Sequence, residues 1–384
     1  MKPQYKQTEV GVIPEDWEVT TIGDVCTFSG GSQPPRFAFK FVPTKGYVRL
    51  IQIRDYKSNE FATYIPVSLA RKRCDADDIM IGRYGPPVFQ ILRGIEGAYN
   101  VALIKTIPSN KVDREFFYNV LKQESLFQLI DGLSRRTSGQ TGVEMPALKS
   151  YGLPLPPLPE QRAIATALSD VDALLAALDR LIAKKRDLKQ AAMQQLLTGQ
   201  TRLQGFTGEW EVKRLGEVAS ISKGTQLHSS ETDEGGKFAH LNGGITPSSY
   251  THKSNTEANT IAISEGGNSC GFVQFMTEPY WCGGHCYSVI PNGVDNHFLY
   301  HALKGQQSAI MGLRVGSGLP NVQKSGLLDF KIKIPSIHPE QTAIATVLTE
   351  MDGELAALEQ RWEKTRALKQ AMMQELLTGR TRLI

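Results

Sequence analysis

The chain has 384 residues, 41% of them hydrophobic and 21% charged, with a formal net charge of +4. That length exceeds what one hydrophobic core usually serves, so two or more domains are expected, and a charge this small neither demands nor excludes a nucleic-acid partner. No apolar run approaches the roughly 18 residues of a membrane helix and the polar start has no apolar signal core, so a cytoplasmic protein with no membrane partner is expected.

The first globular unit is read over residues 1–158. Trp17-Glu18-Val19 and Gly23-Asp24-Val25 open it, in a pattern that continues to Gln33. Ile79-Met80-Ile81 reads as a buried strand delivering Gly82-Arg83-Tyr84-Gly85. Gly85-Pro86-Pro87-Val88-Phe89 invites comparison with the Asn/Asp-Pro-Pro-aromatic turn of an adenine methyltransferase. It lacks the leading Asn or Asp, the aromatic directly after the prolines and a Gly-rich cofactor loop before it, so it reads as a loop. A helix is expected from about Arg114 to Ile130, followed by the loop Arg135-Arg136-Thr137-Ser138-Gly139-Gln140-Thr141.

Residues 159–200 read as one long helix. Gln161 to Thr198 contains neither Gly nor Pro and is rich in strong helix formers. Pro159 suits the first turn and Gly199 a left-handed stop. Ile164, Leu168, Val171, Leu175, Leu178 and Ile182 alternate at four and three residues, a heptad seam that the reading continues through Leu188, Ala192 and Leu196.

A second globular unit follows over residues 201–337. Trp210-Glu211-Val212 and Gly216-Glu217-Val218, running on to Gln226, echo the opening of the first. Thr260-Ile261-Ala262-Ile263 reads as a strand leading into Gly266-Gly267-Asn268-Ser269. The five cysteines, Cys26, Cys74, Cys270, Cys282 and Cys286, are scattered and odd in number, so reduced thiols are expected rather than a disulfide framework. Cys270 with Cys282-Gly283-Gly284-His285-Cys286 invites a zinc reading, but paired CxxC knuckles are missing and the cysteines fit strands as small hydrophobes. No metal site is assigned. A helical stretch near Asn296 to Met311 precedes Arg314-Val315-Gly316-Ser317-Gly318.

The second long helix is read over residues 338–384. Glu340–Leu383 aligns without a gap to Glu160–Leu203, and 27 of the 44 positions are identical, which puts duplication beyond chance. Pro339 and Gly379 repeat the start and stop. The seam recurs as Ile344, Leu348, Met351, Leu355, Leu358, Trp362, Leu368, Met372 and Leu376, with Gly353 a weak point. Acidic residues lie in the first half of each helix and Lys184, Lys185, Arg186, Lys189, Lys364, Arg366 and Lys369 in the second halves. Antiparallel pairing sets acid against base; the same polarity also complements each helix's own dipole. The fold class expected is α+β: two mixed units separated by two long antiparallel coiled-coil helices, with a pseudo-twofold internal repeat.

This order of parts resembles the specificity (S) subunit of type I restriction–modification systems. The resemblance rests on Leu155-Pro156-Pro157-Leu158-Pro159-Glu160-Gln161 and Ile334-Pro335-Ser336-Ile337-His338-Pro339-Glu340-Gln341. It rests also on Leu196-Leu197-Thr198-Gly199, on Leu376-Leu377-Thr378-Gly379 and on Ile13-Pro14-Glu15-Asp16-Trp17. It implies two target recognition domains that each read half of a split site in double-stranded DNA, and helices that set the distance between halves. It further implies docking of two methyltransferase (M) subunits through the helical faces that carry Ile164, Leu168, Leu175, Leu178, Ile344, Leu348, Leu355 and Leu358. Motor-nuclease restriction (R) subunits join the full assembly. S-adenosylmethionine is then held by the M subunits, and ATP with Mg by the R subunits where these are present. No cofactor is expected on this chain, which has no GxxxxGK[ST] loop and no recognisable nuclease constellation, so it is read as a non-catalytic recognition subunit. A coiled-coil scaffold that binds only proteins is the rival reading.

On that footing, side chains able to reach groove edges or phosphates are candidate DNA contacts. They are Arg71 and Arg73 in a basic run, Arg83 and Tyr84 between glycines, and Arg135, Arg136 and Gln140 in the donor-rich loop. In the second unit they are Asn268, Ser269, His285 and Arg314. Each also fits a solvated surface turn. The central segments of the two units differ, so an asymmetric target is expected.

Overall fold

The computed structural model describes residues 4–135, 142–316 and 318–383. Contacts divide the chain into two units of discontinuous sequence, residues 1–177 with 362–384, and residues 178–361. Both are mixed α and β.

The first unit contains an antiparallel sheet in the order Cys26–Gly30, Leu103–Pro108, Met80–Gly82, Gln90–Leu92. A second sheet runs Thr63–Pro66, Tyr47–Ile51, Gly97–Tyr99, Arg73–Cys74, with the two middle strands parallel. The other unit repeats the scheme. Its antiparallel sheet is Ala219–Lys223, Cys286–Pro291, Thr260–Ser264, Val273–Met276. Its smaller sheet is Ser249–Thr251, Phe238–Leu241, Tyr280–Cys282, the last two parallel. Met80–Gly82 and Thr260–Ser264 are buried along their whole length, as short apolar runs in a sheet interior should be.

The helix expected over 114–130 is two helices, Arg114–Leu121 and Glu124–Ser134, because Gln123 is extended. The stretch near 296–311 likewise divides at Gln306 into Asn296–Gly305 and Gln307–Met311. The first break carries neither Gly nor Pro, while the second follows Gly305. In each case both pieces turn apolar residues into the core, among them Phe116, Val120, Leu126 and Ile130, and Phe298, Leu303 and Ile310.

The long helices are Leu158–Leu196 and His338–Leu376, 39 residues each, or about 58 Å. Gly199 and Gly379 adopt φ of 71° and 73°, the left-handed conformation that ends a helix. The second helix runs unbroken through the exposed Gly353.

Within each unit the two helices run antiparallel. In the first unit the Lys369 Nζ lies 2.6 Å from both Asp172 oxygens. In the second, Lys185 pairs with Glu354, Arg186 with Glu359 and Lys189 with Asp352. Ile164, Leu168, Leu178, Ile182, Ile344, Leu348 and Leu355 are buried, while Leu175 and Leu358 are half-buried. Leu188 and Leu368, read as seam positions, are instead 48% and 56% exposed. Strict alternation of three and four beyond Ile182 reaches Lys185 and Lys189, and beyond Trp362 it reaches Thr365 and Lys369. Those residues hold the seam, and Lys369 is only 7% exposed. A lysine is tolerated there because an aspartate from the other helix meets its charge.

The repeated Glu-Gln pair explains itself in these contacts. Glu160, fully buried, accepts from the Trp17 Nε1 at 2.9 Å and from Arg382. Arg382 also grips Asp16 at 2.7 and 2.8 Å, which holds the Asp16 carboxyl below its usual range. Glu340, equally buried, is held by Arg202 at 2.5 and 2.6 Å. The Gln161 Oε1 accepts from the Asp113 N–H at 2.7 Å, and the Gln341 Oε1 from the Asp295 N–H at 2.9 Å. Asp113 and Asp295 are themselves the N-caps of helices Arg114–Leu121 and Asn296–Gly305.

Candidate nucleic-acid interface

Three backbone segments meet in the first unit. Strand Met80–Gly82 ends against Leu103, and the next residue, Arg83, donates its N–H to the Ala102 carbonyl at 2.8 Å. On the far side of residues 99–103, the Gly31 N–H donates to Leu103 and the Ser32 N–H to Tyr99. The segment after the loop at 135–141 closes the group: the Val143 N–H donates to Arg83, and Tyr84 bridges to Gly142.

The second unit repeats this pattern bond for bond. The Glu265 N–H donates to His285 at 2.9 Å, Gly224 to Cys286, Thr225 to Cys282 and Val322 to Glu265, while Gly266 bridges to Asn321. Glu265 therefore occupies the place of Arg83, Gly266 that of Tyr84 and His285 that of Ala102. Two candidate loops whose sequences share only the glycine at Gly85 and Gly267 are one loop of the fold.

Their side chains differ in kind. Arg83 is exposed, lies 5.2 Å over the Tyr84 ring and has no carboxylate partner among the described residues. Glu265 faces Lys223 at 2.7 Å and the Tyr287 hydroxyl at 3.0 Å through Oε1, and the His285 Nδ1 at 3.5 Å through Oε2. Burial and that carboxylate push the Tyr287 hydroxyl up, so it stays protonated as a donor. Lys223, Glu265, Tyr287 and Asn242, whose Oδ1 accepts from the His285 N–H at 3.0 Å, were not signalled by sequence. Their only trace was the pairing of positions between the two copies.

The remaining candidates fall as follows. Arg135 is 78% exposed and already paired with Asp131 at 2.7 Å one turn back. Arg136 and Gln140, with the rest of that loop to Thr141, lie outside the described residues. Arg73 sits on an edge strand opposite Ala98. It and Arg71 are exposed, without a carboxylate partner among the described residues. The Ser269 hydroxyl donates to the Gly243 carbonyl at 2.9 Å, which pins the loop, while Asn268 beside it is exposed. Arg314 is exposed on the hairpin Arg314–Val315/Asn321–Val322, next to the Glu265 segment.

All five cysteines are buried and free. Burial raises the Cys26 thiol to about 12 and the Cys74 thiol to about 11, which keeps them neutral. Among the described residues no group of three or more His, Cys, Asp and Glu side chains is placed to hold a metal ion. Nor, among them, is any helix long and apolar enough to cross a membrane.

The molecule is thus a duplicated protein, two like frames that carry unlike polar groups at one loop. The type I restriction modification DNA specificity domain matches residues 14–185 and again 207–368, and the chain belongs to that family. It is similar to the type I restriction enzyme MjaVIII specificity subunit of Methanocaldococcus jannaschii, at 24% identity over 97% of this chain and 94% of the relative. It is 34% identical to a putative type I specificity subunit of Mycoplasma pneumoniae over 44% of this chain and 46% of that one. The fold is shared with a type I restriction-modification S subunit from M. genitalium, known from its crystal structure. The TM-score is 0.69 at 20% identity, covering 98% of this chain and 99% of the other.

Proposed function

We propose that each unit reads one half of a split, asymmetric DNA target through the edge where the Arg83 and Glu265 loops lie. The two long helices set the number of unread base pairs between halves and dock two methyltransferase subunits. The chain itself performs no covalent step. S-adenosylmethionine belongs to the methyltransferase subunits, and ATP with Mg to restriction subunits where these join.

One observation supports this reading above the rest: Arg83 and Glu265 stand at the same place in the same frame. The exposed Arg83 guanidinium offers only donors, suited to guanine O6 and N7, whereas Glu265 at the same place turns its carboxylate onto Lys223, Tyr287 and His285. Equal frames that carry such unlike groups present different chemistry to a duplex.

Co-expression of the chain with its methyltransferase subunit, followed by genome-wide mapping of methylated adenines, tests the reading. A split motif with unlike halves is expected. A continuous motif, a palindromic one, or no sequence preference overturns it.

A further inference from the structure

The loops that leave Cys26–Gly30 and Ala219–Lys223 begin at Gly31 and Gly224. A Cβ on Gly31 would lie 1.9 Å from the Asn100 carbonyl oxygen, and one on Gly224 2.3 Å from the carbonyl oxygens of Cys282 and Gly283. Only glycine allows the loop to press against the central segment this closely. Two residues further on, both loops carry a glutamine, Gln33 and Gln226.

Among the described residues neither glutamine side chain makes a close structural bond. Both glutamines are exposed. Among the described residues their amides reach only the carbonyl of the following residue, Pro34 or Leu227, at 3.4 Å, longer than a sound hydrogen bond. Several of the other residues shared over 17–33 and 210–226 have structural roles or lie elsewhere. Trp17 and Val25 with Val218 are buried core residues. Glu18 and Glu211 are exposed, but on strands paired with Gly152–Leu155 and Lys331–Pro335, which lead into the long helices. Beyond the glutamines the two sequences part, Pro34-Pro35 against Leu227-His228. Each glutamine thus stands at the same point of its loop, beside the segment that also receives the Arg83 or Glu265 loop. In the second unit Gly284 leaves its path clear, since a Cβ there would lie 2.9 Å from the Gln226 Oε1.

We propose that Gln33 and Gln226 are base-reading residues, one for each half-site, and that each presents its carboxamide to an adenine edge. A carboxamide carries one donor and one acceptor, the complement of adenine N6 and N7. This rests on the reading that the adjoining loops face DNA. The two units then recognise unlike half-sites that share one feature, an adenine at the corresponding place in each.

The test uses the full chain co-expressed with its methyltransferase subunit and selected against a randomised duplex pool. Gln33→Ala should relax a single adenine position in one half-site, with discrimination falling roughly tenfold to hundredfold. Gln226→Ala should do the same in the other half only. Arg83→Ala serves as the marker of the edge itself. If it relaxes a base and the glutamine variants do not, the assignment of the glutamines fails and the edge stands. If none of the three changes preference, the edge is wrong as well. An equal loss on every sequence, or relaxation at a base other than adenine, also overturns the assignment.

Discussion

Arg382 and Glu160 are separated by 222 positions and joined by two charge-assisted bonds, Nε to Oε1 at 2.9 Å and Nη2 to Oε2 at 2.6 Å. The second unit is closed by the same device, Arg202 on Glu340. Arg382→Ala would leave a fully buried carboxylate with the Trp17 indole as its remaining donor. A loss of about 3–5 kcal/mol is expected for breaking one side of such a pair. Urea denaturation checks it, and a loss below about 1 kcal/mol would show that the clamp does not hold the unit together.

His301 gives the second unit a pH dependence that the first lacks. It is 1% exposed, and its Nε2 lies 3.0 Å from the Thr349 hydroxyl. Burial lowers its pKa from 6.5 to about 4; Lys189 and His297 add to this, while Asp352 and Asp295 oppose it. The unfolded chain therefore takes up a proton that the folded one refuses. The stability this confers is complete above the unfolded value near 6.5 and is lost as pH falls towards 4. The full loss is roughly 3 kcal/mol. The corresponding residue of the first unit is Asn119, on the equivalent helix after Asp113. His301→Asn should flatten the stability profile between pH 6.5 and 4, as read by thermal melts across that range. An unchanged slope would assign the acid limb to other groups.

Arg71 and Arg73 are exposed and have no carboxylate partner among the described residues. If they contact phosphates, Arg71→Ala and Arg73→Ala should weaken all duplexes alike. Each should reduce the slope of log affinity against log salt by about one. A titration of the assembled complex at several salt concentrations decides this, because a base-reading residue would instead change preference at one position.

One heptad inserted at matched points of both long helices adds about 10.5 Å to each. If the helices set the spacer, the methylated motif should gain about three unread base pairs, at 3.4 Å each along an undistorted duplex. Adding fewer residues breaks the seam and should weaken binding instead. An unchanged spacer in the heptad variant would refute the ruler role.

The sequence by itself determined the duplication, the two 39-residue helices and their glycine stops, because these signals are local. A 44-residue repeat, a four-three periodicity and a left-handed cap need no distant partner. The tertiary structure decided what depends on residues far apart. Lys189 and Lys369 displace Leu188 and Leu368 from the seam because Asp352 and Asp172 of the opposite helix meet their charge. The helices divide at Gln123 and Gln306 because both pieces must reach one core. Arg83 and Glu265 prove equivalent through backbone bonds to Ala102 and His285, a relation no residue-by-residue comparison of two divergent loops contains.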